Sequence, residues 1–359
     1  MLAAKMKRLF QATLATILLV TATYACQVPV FRYALEQWSS DNYEILVLHD
    51  EPLSQQDQAR IDAIWAKTTD PKRIANVKPR TLSVSELRAP SSLTQNQSSG
   101  ENVFSNDDPV AHRQIANLRL AALWKQHGKS GGPIVLLLYP PQAEEVPDRV
   151  VQVIPLNAFV AESVVNSPAR KQVTERLLAG DSAVWIFVPC GDEQQDRAGL
   201  ETLRKQVQLD QSRLSLPSAE EMELSSVLIE AADIELRLGF SIVTVKRDDA
   251  REQFLLNSLL RSESDLETIQ QPMAFPVLGR GRVLYALVGK GISPDTIAIA
   301  SSFIVGPCSC QVKDLNPGFD LLLSVDWEKE LRGSKLSTAL PEPPLDPVLL
   351  TIPPGRQKR

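Results

Sequence analysis

At 359 residues, with 43% hydrophobic and 23% charged side chains, the chain has an ordinary globular composition and room for two domains that each bury a core. A net charge of −5, with basic clusters only at the two ends, argues against a general nucleic-acid binder, because neutralising phosphates requires a clustered excess of Lys and Arg. The three histidines, His49, His112 and His127, are not at metal-ligand spacing, so neither a histidine-based metal site nor any other cofactor is expected.

The N-terminus carries Lys5, Lys7 and Arg8, then an apolar stretch over residues 9–20, then small residues up to Ala25. This is the layout of a secretory signal, and Thr23 and Ala25 suit the positions before a cleavage point. Three outcomes fit the segment: ordinary cleavage before Cys26, lipid attachment at Cys26, or retention as an anchor, although the apolar run is shorter than the ~20 residues a span prefers. Each places the bulk of the chain outside the cytoplasm, where disulfides are permitted among Cys26, Cys190, Cys308 and Cys310.

Residues 28–38 (VPVFRYALEQW) form an aromatic-rich lead-in, and residues 45–48 (ILVL) read as a buried strand. Ile61, Ile64 and Trp65 sit at helical spacing in residues 54–67. Residues 81–84 are a modest strand candidate, and the polar stretch 91–109 reads as a loop. Residues 111–126 predict a helix with Ile115, Leu118, Ala122 and Leu123 on its buried face. The continuously apolar residues 133–139 (PIVLLLY) predict a central strand, and residues 150–156 its antiparallel partner. Ser167-Pro168 then opens a helix that ends at Gly180.

The second half starts with a buried strand over residues 183–188 (AVWIFV), the loop Pro189-Cys190-Gly191-Asp192 and a helix over residues 196–207. Ser218 and Glu221 form a capping box for a further amphipathic helix through Leu236. Residues 240–245 predict a strand and residues 252–260 a helix. Residues 273–278 and 283–288 flank Gly279-Arg280-Gly281-Arg282, the composition of a tight turn between antiparallel strands with solvated arginines. Ser293-Pro294 opens a helix closed by Gly306. Pro168 lies 12 residues before Gly180 and Pro294 lies 12 before Gly306, each preceded by Ser and by a two-strand unit. The match is one of architecture, since side-chain identity between the copies is low.

Each half thus reads β-α-β-α-β-β-α, an α/β class with mixed sheets, a terminal antiparallel hairpin and helices on both faces. That order resembles the thioredoxin-like fold, twice over: domain 1 over residues 43–181 and domain 2 over residues 182–327, the latter with a C-x-C extension. Residues 1–25 precede them as the signal and 26–42 as the lead-in. Residues 328–359 follow as a proline-rich tail expected to be disordered. The resemblance implies a redox cysteine pair after the first strand of each unit, and a cis proline before the hairpin. Here Cys190-Gly191-Asp192-Glu193 keeps the attacking position and has Glu at the resolving one, His49-Asp50-Glu51-Pro52 has no cysteine, and Pro272 is the cis-proline candidate. A dithiol cycle needs a second sulfur to release the mixed disulfide, so Cys190 is a degenerate candidate. The phrases PMAFPVLGRGRVLYALVGKG, CSCQVK and NPGFDLLLSVDW, with CQVPVFRYALEQW, are also similar to a group of exported proteins from planctomycete-type bacteria to which no catalytic role attaches.

Cys308-Ser309-Cys310 is the most specific chemical feature. The two sulfurs can close a strained, easily reduced ring, or one can pair with Cys26, or the three thiols can contribute to a copper(I) or zinc site; spacing alone does not fix connectivity. Gly279-Arg280-Gly281-Arg282 is no phosphate loop, since Leu284 stands where a third Gly belongs. The acidic groups Asp248-Asp249, Asp192-Glu193 and Glu144-Glu145 read as solvated loop charges. The sequence therefore points to an exported, periplasmic or envelope-anchored binding or assembly protein without enzymatic activity. Its expected partner is an unnamed protein at the envelope, with membrane contact only through the N-terminus. The competing class is a thiol-disulfide oxidoreductase using Cys308 and Cys310, with Cys190 as a further candidate.

Overall fold

The computed structural model describes residues 28–69, 74–88, 109–128, 132–143, 146, 149–218, 236–307, 313 and 318–331. The expected signal segment, Cys26, most of the polar loop, most of the helix after Ser218, the Cys308-Ser309-Cys310 motif and most of the proline-rich tail lie outside these residues.

The chain is α/β, with two mixed sheets and helices on both faces of each. In the first sheet β1 (Tyr43–His49) pairs parallel with β2 (Val77–Ser83), with Val47 opposite Thr81. It pairs antiparallel with β3 (Ile134–Leu138), with Val47 opposite Val135; β3 then pairs antiparallel with β4 (Val150–Pro155), giving the order β2-β1-β3-β4. The second sheet repeats the pattern. There β5 (Ala183–Val188) runs parallel to β6 (Phe240–Thr244) and antiparallel to β7 (Met273–Leu278), which pairs in turn with β8 (Arg282–Val283) and β9 (Leu287–Val288).

The closing hairpin differs from the sequence expectation in one respect. Residues 283–288 are not one strand: β8 and β9 each have two residues, and Leu284, Tyr285 and Ala286 leave the ladder between them. The turn itself holds Gly279 at φ +57° and Gly281 at φ +98°, left-handed positions that favour glycine. Beyond β8 a further short strand, β10 (Phe319–Asp320), pairs antiparallel with it.

Helix boundaries follow local chemistry closely. Ser54 caps α2 (Gln55–Thr68); the five-residue α3 (Val84–Arg88) follows β2. The hydroxyl of Ser167 accepts the Arg170 N–H at the start of α6 (Pro168–Leu178), just after the short α5 (Ala161–Val165). Ser293 and Thr296 form a reciprocal capping box on α9 (Pro294–Val305). Asp192 caps α7 (Glu193–Arg213), longer at both ends than the predicted helix, and α8 (Gln253–Leu260) follows a short turn of 3-10 helix. The lead-in is itself a helix, α1 (Val30–Gln37).

The buried face of α4 (Pro109–His127) is a correction to the sequence reading. Leu118 is 70% exposed and Ile115 48%, whereas Leu120 is 7% exposed and packs with Leu123 and Trp124 on the outer face of the first sheet. Of the expected face Leu123 is packed while Ile115, Leu118 and Ala122 are exposed, so the sheet selects a stripe rotated from the predicted one, with Leu120 and Trp124 beside Leu123.

Period-two alternation explains how each sheet is covered on both sides. Ile45 and Val47 of β1 point to a central core while Leu46 and Leu48 point to α4. Val184, Ile186 and Val188 of β5 join that same central core, while Trp185 and Phe187 face the outer layer with Leu203 of α7 and Ala300 of α9. The central core also takes Ile61 of α2, Val164 of α5, Val173 of α6 and Leu255 of α8, so one apolar interior is shared by both sheets. Val30, Phe31, Ala34 and Trp38 seat α1 against Ala183, Leu278 and Ile304 of the second half.

The hairpin arginines are buried, not solvated. Arg280 donates to the carbonyls of Leu35 (2.7 Å) and Glu36 (3.0 Å), satisfying the open C-terminal end of α1, and reaches the Glu328 carboxylate in α10 (Trp327–Glu330) at 2.8 Å. Arg282 lies 3.5 Å from Asp320 and 3.8 Å from Asp41, and Lys313 lies 2.8 Å from Asp41 and 2.5 Å from Asp320. Burial, then the charge of Asp320, pushes the Asp41 carboxyl above its usual range, against the pull of Lys313 and Arg282. A composition rich in Gly and Arg at a turn normally means solvent; here two other segments fold over the turn and supply acceptors.

Candidate functional site

Cys190 follows Pro189 at the end of β5 and precedes the N-cap of α7, the junction where a strand delivers a side chain to a helix N-terminus. Gly191, at φ +96°, makes the turn. The Cys190 N–H donates to one carboxylate oxygen of Asp196 at 2.7 Å and the Gly191 N–H to the other at 2.9 Å. The N–H groups of Gln194 and Gln195 donate to Asp192 at 3.0 and 2.9 Å. Four amides at the entry of a 21-residue helix are thus taken by two side-chain carboxylates.

That arrangement sets the chemistry of the sulfur. A helix N-terminus lowers a thiol pKa when its amides face the sulfur and positive partial charge is uncompensated. At Cys190, burial pushes the thiol upward, and the Asp196 carboxylate raises it further through a hydrogen bond and its charge, against one backbone contact from Asp192 that lowers it. The thiol is only partly accessible and forms no disulfide.

Arg247 and Pro272 complete the neighbourhood. The Arg247 guanidinium donates to the carbonyls of Pro189 (3.3 Å), Ile269 (3.2 Å) and Gln271 (3.2 Å), tying the residue before Cys190 to the one before Pro272. Pro272 lies under α7, where a Cβ on Gly199 would stand 3.4 Å from its ring. The peptide bond before Pro272 is trans, since no peptide bond among the described residues is cis. This corrects the cis-proline expectation: trans is the ordinary isomer of an X-Pro bond.

In the first half the matching junction is His49-Asp50-Glu51-Pro52, where a cleft of about 340 Å³ opens beside Trp124 and Gly128. The His49 ring Nδ1 lies 2.9 Å from the Glu51 carbonyl oxygen, and Asp57 is engaged with Ser54 and Arg60. A second cleft, about 370 Å³, lies between α6 and residues 323–324. Among the described residues no three His, Cys, Asp or Glu side chains gather as a metal site, and no helix is long and apolar enough to cross a membrane.

Of the sequence-derived candidates, Cys190 and Pro272 are brought to one end of the second sheet by Arg247. Cys26, Cys308 and Cys310 lie outside the described residues. Sequence reasoning missed Asp196 and Arg247. Asp196 carries a readable signal, an acidic residue six positions after a strand-exit cysteine, whereas Arg247 contacts loops 58 and 22–24 residues away in the chain and carries none. No protein-family model matches this chain, and neither does any curated protein.

Proposed function

We propose that this chain is an exported or envelope-anchored binding or assembly protein built from two degenerate thioredoxin-like units, with no thiol-disulfide turnover at Cys190. The repeated strand order, parallel at one side of β1 and β5 and antiparallel at the other, supports the thioredoxin-like reading. The N-terminal basic, apolar and small-residue pattern supports export.

One observation carries the functional part: the helix N-terminus beside Cys190 is filled by Asp192 and Asp196, so the sulfur lacks the electropositive setting that makes a cysteine an attacking thiolate. What remains is a scaffold whose loops at the ends of β1 and β5 present polar side chains to a partner. The test is the rate of Cys190 alkylation against pH in the folded protein. The rate should keep rising past pH 9, the ordinary thiol value being 9.0, and Asp196→Asn should move the midpoint downward. A midpoint below pH 8, together with turnover of a disulfide substrate that Cys190→Ser abolishes, would overturn the proposal.

A further inference from the structure

The helix α4 is apolar on two sides. Leu120, Leu123 and Trp124 face the first sheet, while Ile115 and Leu118 on the opposite side are exposed, Leu118 to 70%. Ile115, Leu118 and Ala122 fall at i, i+3 and i+7, so these three exposed residues lie in one line along the helix. The other exposed large apolar side chains among the described residues, Ile74, Val160 and Ile299, stand singly, which is ordinary for a surface. A contiguous apolar line on a helix already packed on its other side is the kind of surface that marks a protein or membrane contact.

Charge decides between the candidate occupants. The 19 residues of α4 include Arg113, Arg119 and Lys125 and neither Asp nor Glu. At about 100° per residue, Arg119 borders the apolar line on one side and Lys125 on the other. Both are exposed, and neither forms an ion pair among the described residues. The acidic side chains of the elements packed beside α4 are engaged elsewhere: Glu86 of α3 accepts the Ser83 N–H at 3.2 Å, and Glu44 of β1 pairs with Arg80 at 2.5 Å. Burial lowers the Arg149 pKa, Glu44 opposes that, and the charge of Arg119 lowers it further, so a second guanidinium lies close to Arg119. The whole chain carries −5, and this positive strip runs against that average. Lys and Arg beside an apolar line can lay their methylene stems along it and hold their charges outward.

We propose that the outer face of α4 rests on the surface of a membrane rich in anionic phospholipid. Ile115, Leu118 and Ala122 dip among the acyl chains, and Arg119 and Lys125 meet the phosphate headgroups. The helix axis lies in the plane of the membrane, and the first sheet stays in water above it. Each basic residue near an anionic surface strengthens binding about fivefold, and the gain falls as salt is added. This contact is additional to the N-terminal one that the sequence leads to expect. It goes beyond the binding or assembly role by giving the face on which the folded body is oriented, and it depends on α4 and not on export.

The experiment places a fluorophore in the face itself. The full chain carrying Leu118→Trp is mixed with vesicles of phosphatidylglycerol brominated along its acyl chains, with the unsubstituted chain as background for the 5 native tryptophans. The expected result is quenching above that background on phosphatidylglycerol, little on brominated phosphatidylcholine, and its loss in high salt. Arg119→Gln and Lys125→Gln together, in the Leu118→Trp chain, should raise the lipid concentration for half-quenching about thirtyfold. All three positions are exposed, so each variant keeps the circular dichroism of the unsubstituted chain. Insertion of the N-terminal segment alone does not bring position 118 among the bromines and does not imitate this result. Absence of excess quenching, or equal quenching on the two lipids, would overturn the proposal. So would sedimentation of the lipid-free chain as a dimer that Leu118→Glu separates, which would make a second copy the occupant. Fractionation of the producing cell reads export separately: a cytoplasmic chain that is quenched on phosphatidylglycerol would sink the localisation and leave this contact standing.

Discussion

Arg170 is the clearest case of a single side chain carrying tertiary structure. It is buried at the start of α6 and donates to the Ser167 hydroxyl (3.1 Å) and to the carbonyls of Val164 (2.6 Å), Ser163 (3.2 Å) and Leu322 (2.9 Å), with its guanidinium 5.0 Å from the centre of the Phe254 ring. Burial pulls its pKa down to about 10, so it remains charged at neutral pH. Those acceptors come from two stretches of chain, residues 163–167 and Leu322, and removing the guanidinium would strand them without water. Arg170→Met should destabilise the protein by about 3 kcal/mol or more, since each hydrogen bond to a charged group is worth roughly 1.5–3 kcal/mol. Arg170→Lys should recover little of that loss, because a compact ammonium cannot span a planar fork of acceptors. Urea denaturation of both variants decides it, and a Lys variant of wild-type stability would refute this account.

Gly279 shows the same logic for an element. The β7–β8 turn approaches α1 so closely that a Cβ at Gly279 would stand 2.6 Å from the Ala34 Cβ and 3.0 Å from its carbonyl carbon, in a backbone already at φ +57°. The turn composition was readable from the sequence, but its partner was not: the lead-in helix covers the turn, with Arg280 bonded to the carbonyls of Leu35 and Glu36, 245 and 244 residues away. Gly279→Ala should therefore cost more than the ~1–2 kcal/mol of a left-handed residue alone, because α1 has to shift to admit the methyl. Thermal unfolding of this variant beside Gly191→Ala, also left-handed at φ +96° but with nothing within 4 Å of the added methyl, separates strain at α1 from the cost of a left-handed residue. Equal midpoints for the two would show that the close approach does not matter.

At the scale of the whole molecule, the two sheets are joined by more than a linker. The central core draws residues from both, Glu252 of the second half accepts the Ala169 N–H of α6 at 2.7 Å, and the Tyr139 hydroxyl donates to the Ser258 carbonyl at 2.7 Å. Residues 321–324 run from the second sheet back to the first. Leu321 N–H bonds to Gly281, the Asn76 side chain bonds to both Leu321 and Leu323, and the Ser324 hydroxyl bonds to Val165. Contacts this dense and this apolar couple the halves into one cooperative unit. Differential scanning calorimetry should show a single transition whose calorimetric and van't Hoff enthalpies agree; two resolved transitions would mean that the halves unfold independently.

Local chemistry was enough to place most elements. Residues 183–188 and 273–278 are continuously apolar because both sheet faces are covered, and they form β5 and β7 over those residues. Ser-Pro pairs at Ser167 and Ser293 mark helix starts because a hydroxyl acceptor and a fixed φ satisfy the first turn whatever surrounds it. The candidate cysteine at the exit of β5 was legible for the same reason. The face that α4 buries, the covering of Arg280 and Arg282 and the filling of the Cys190 helix end by Asp196 were decided elsewhere. Each depends on a group supplied by a neighbouring element or by the next turn of chain. Periodicity and capping act over a few residues, whereas burial of a charge is settled only when distant segments meet and exclude water.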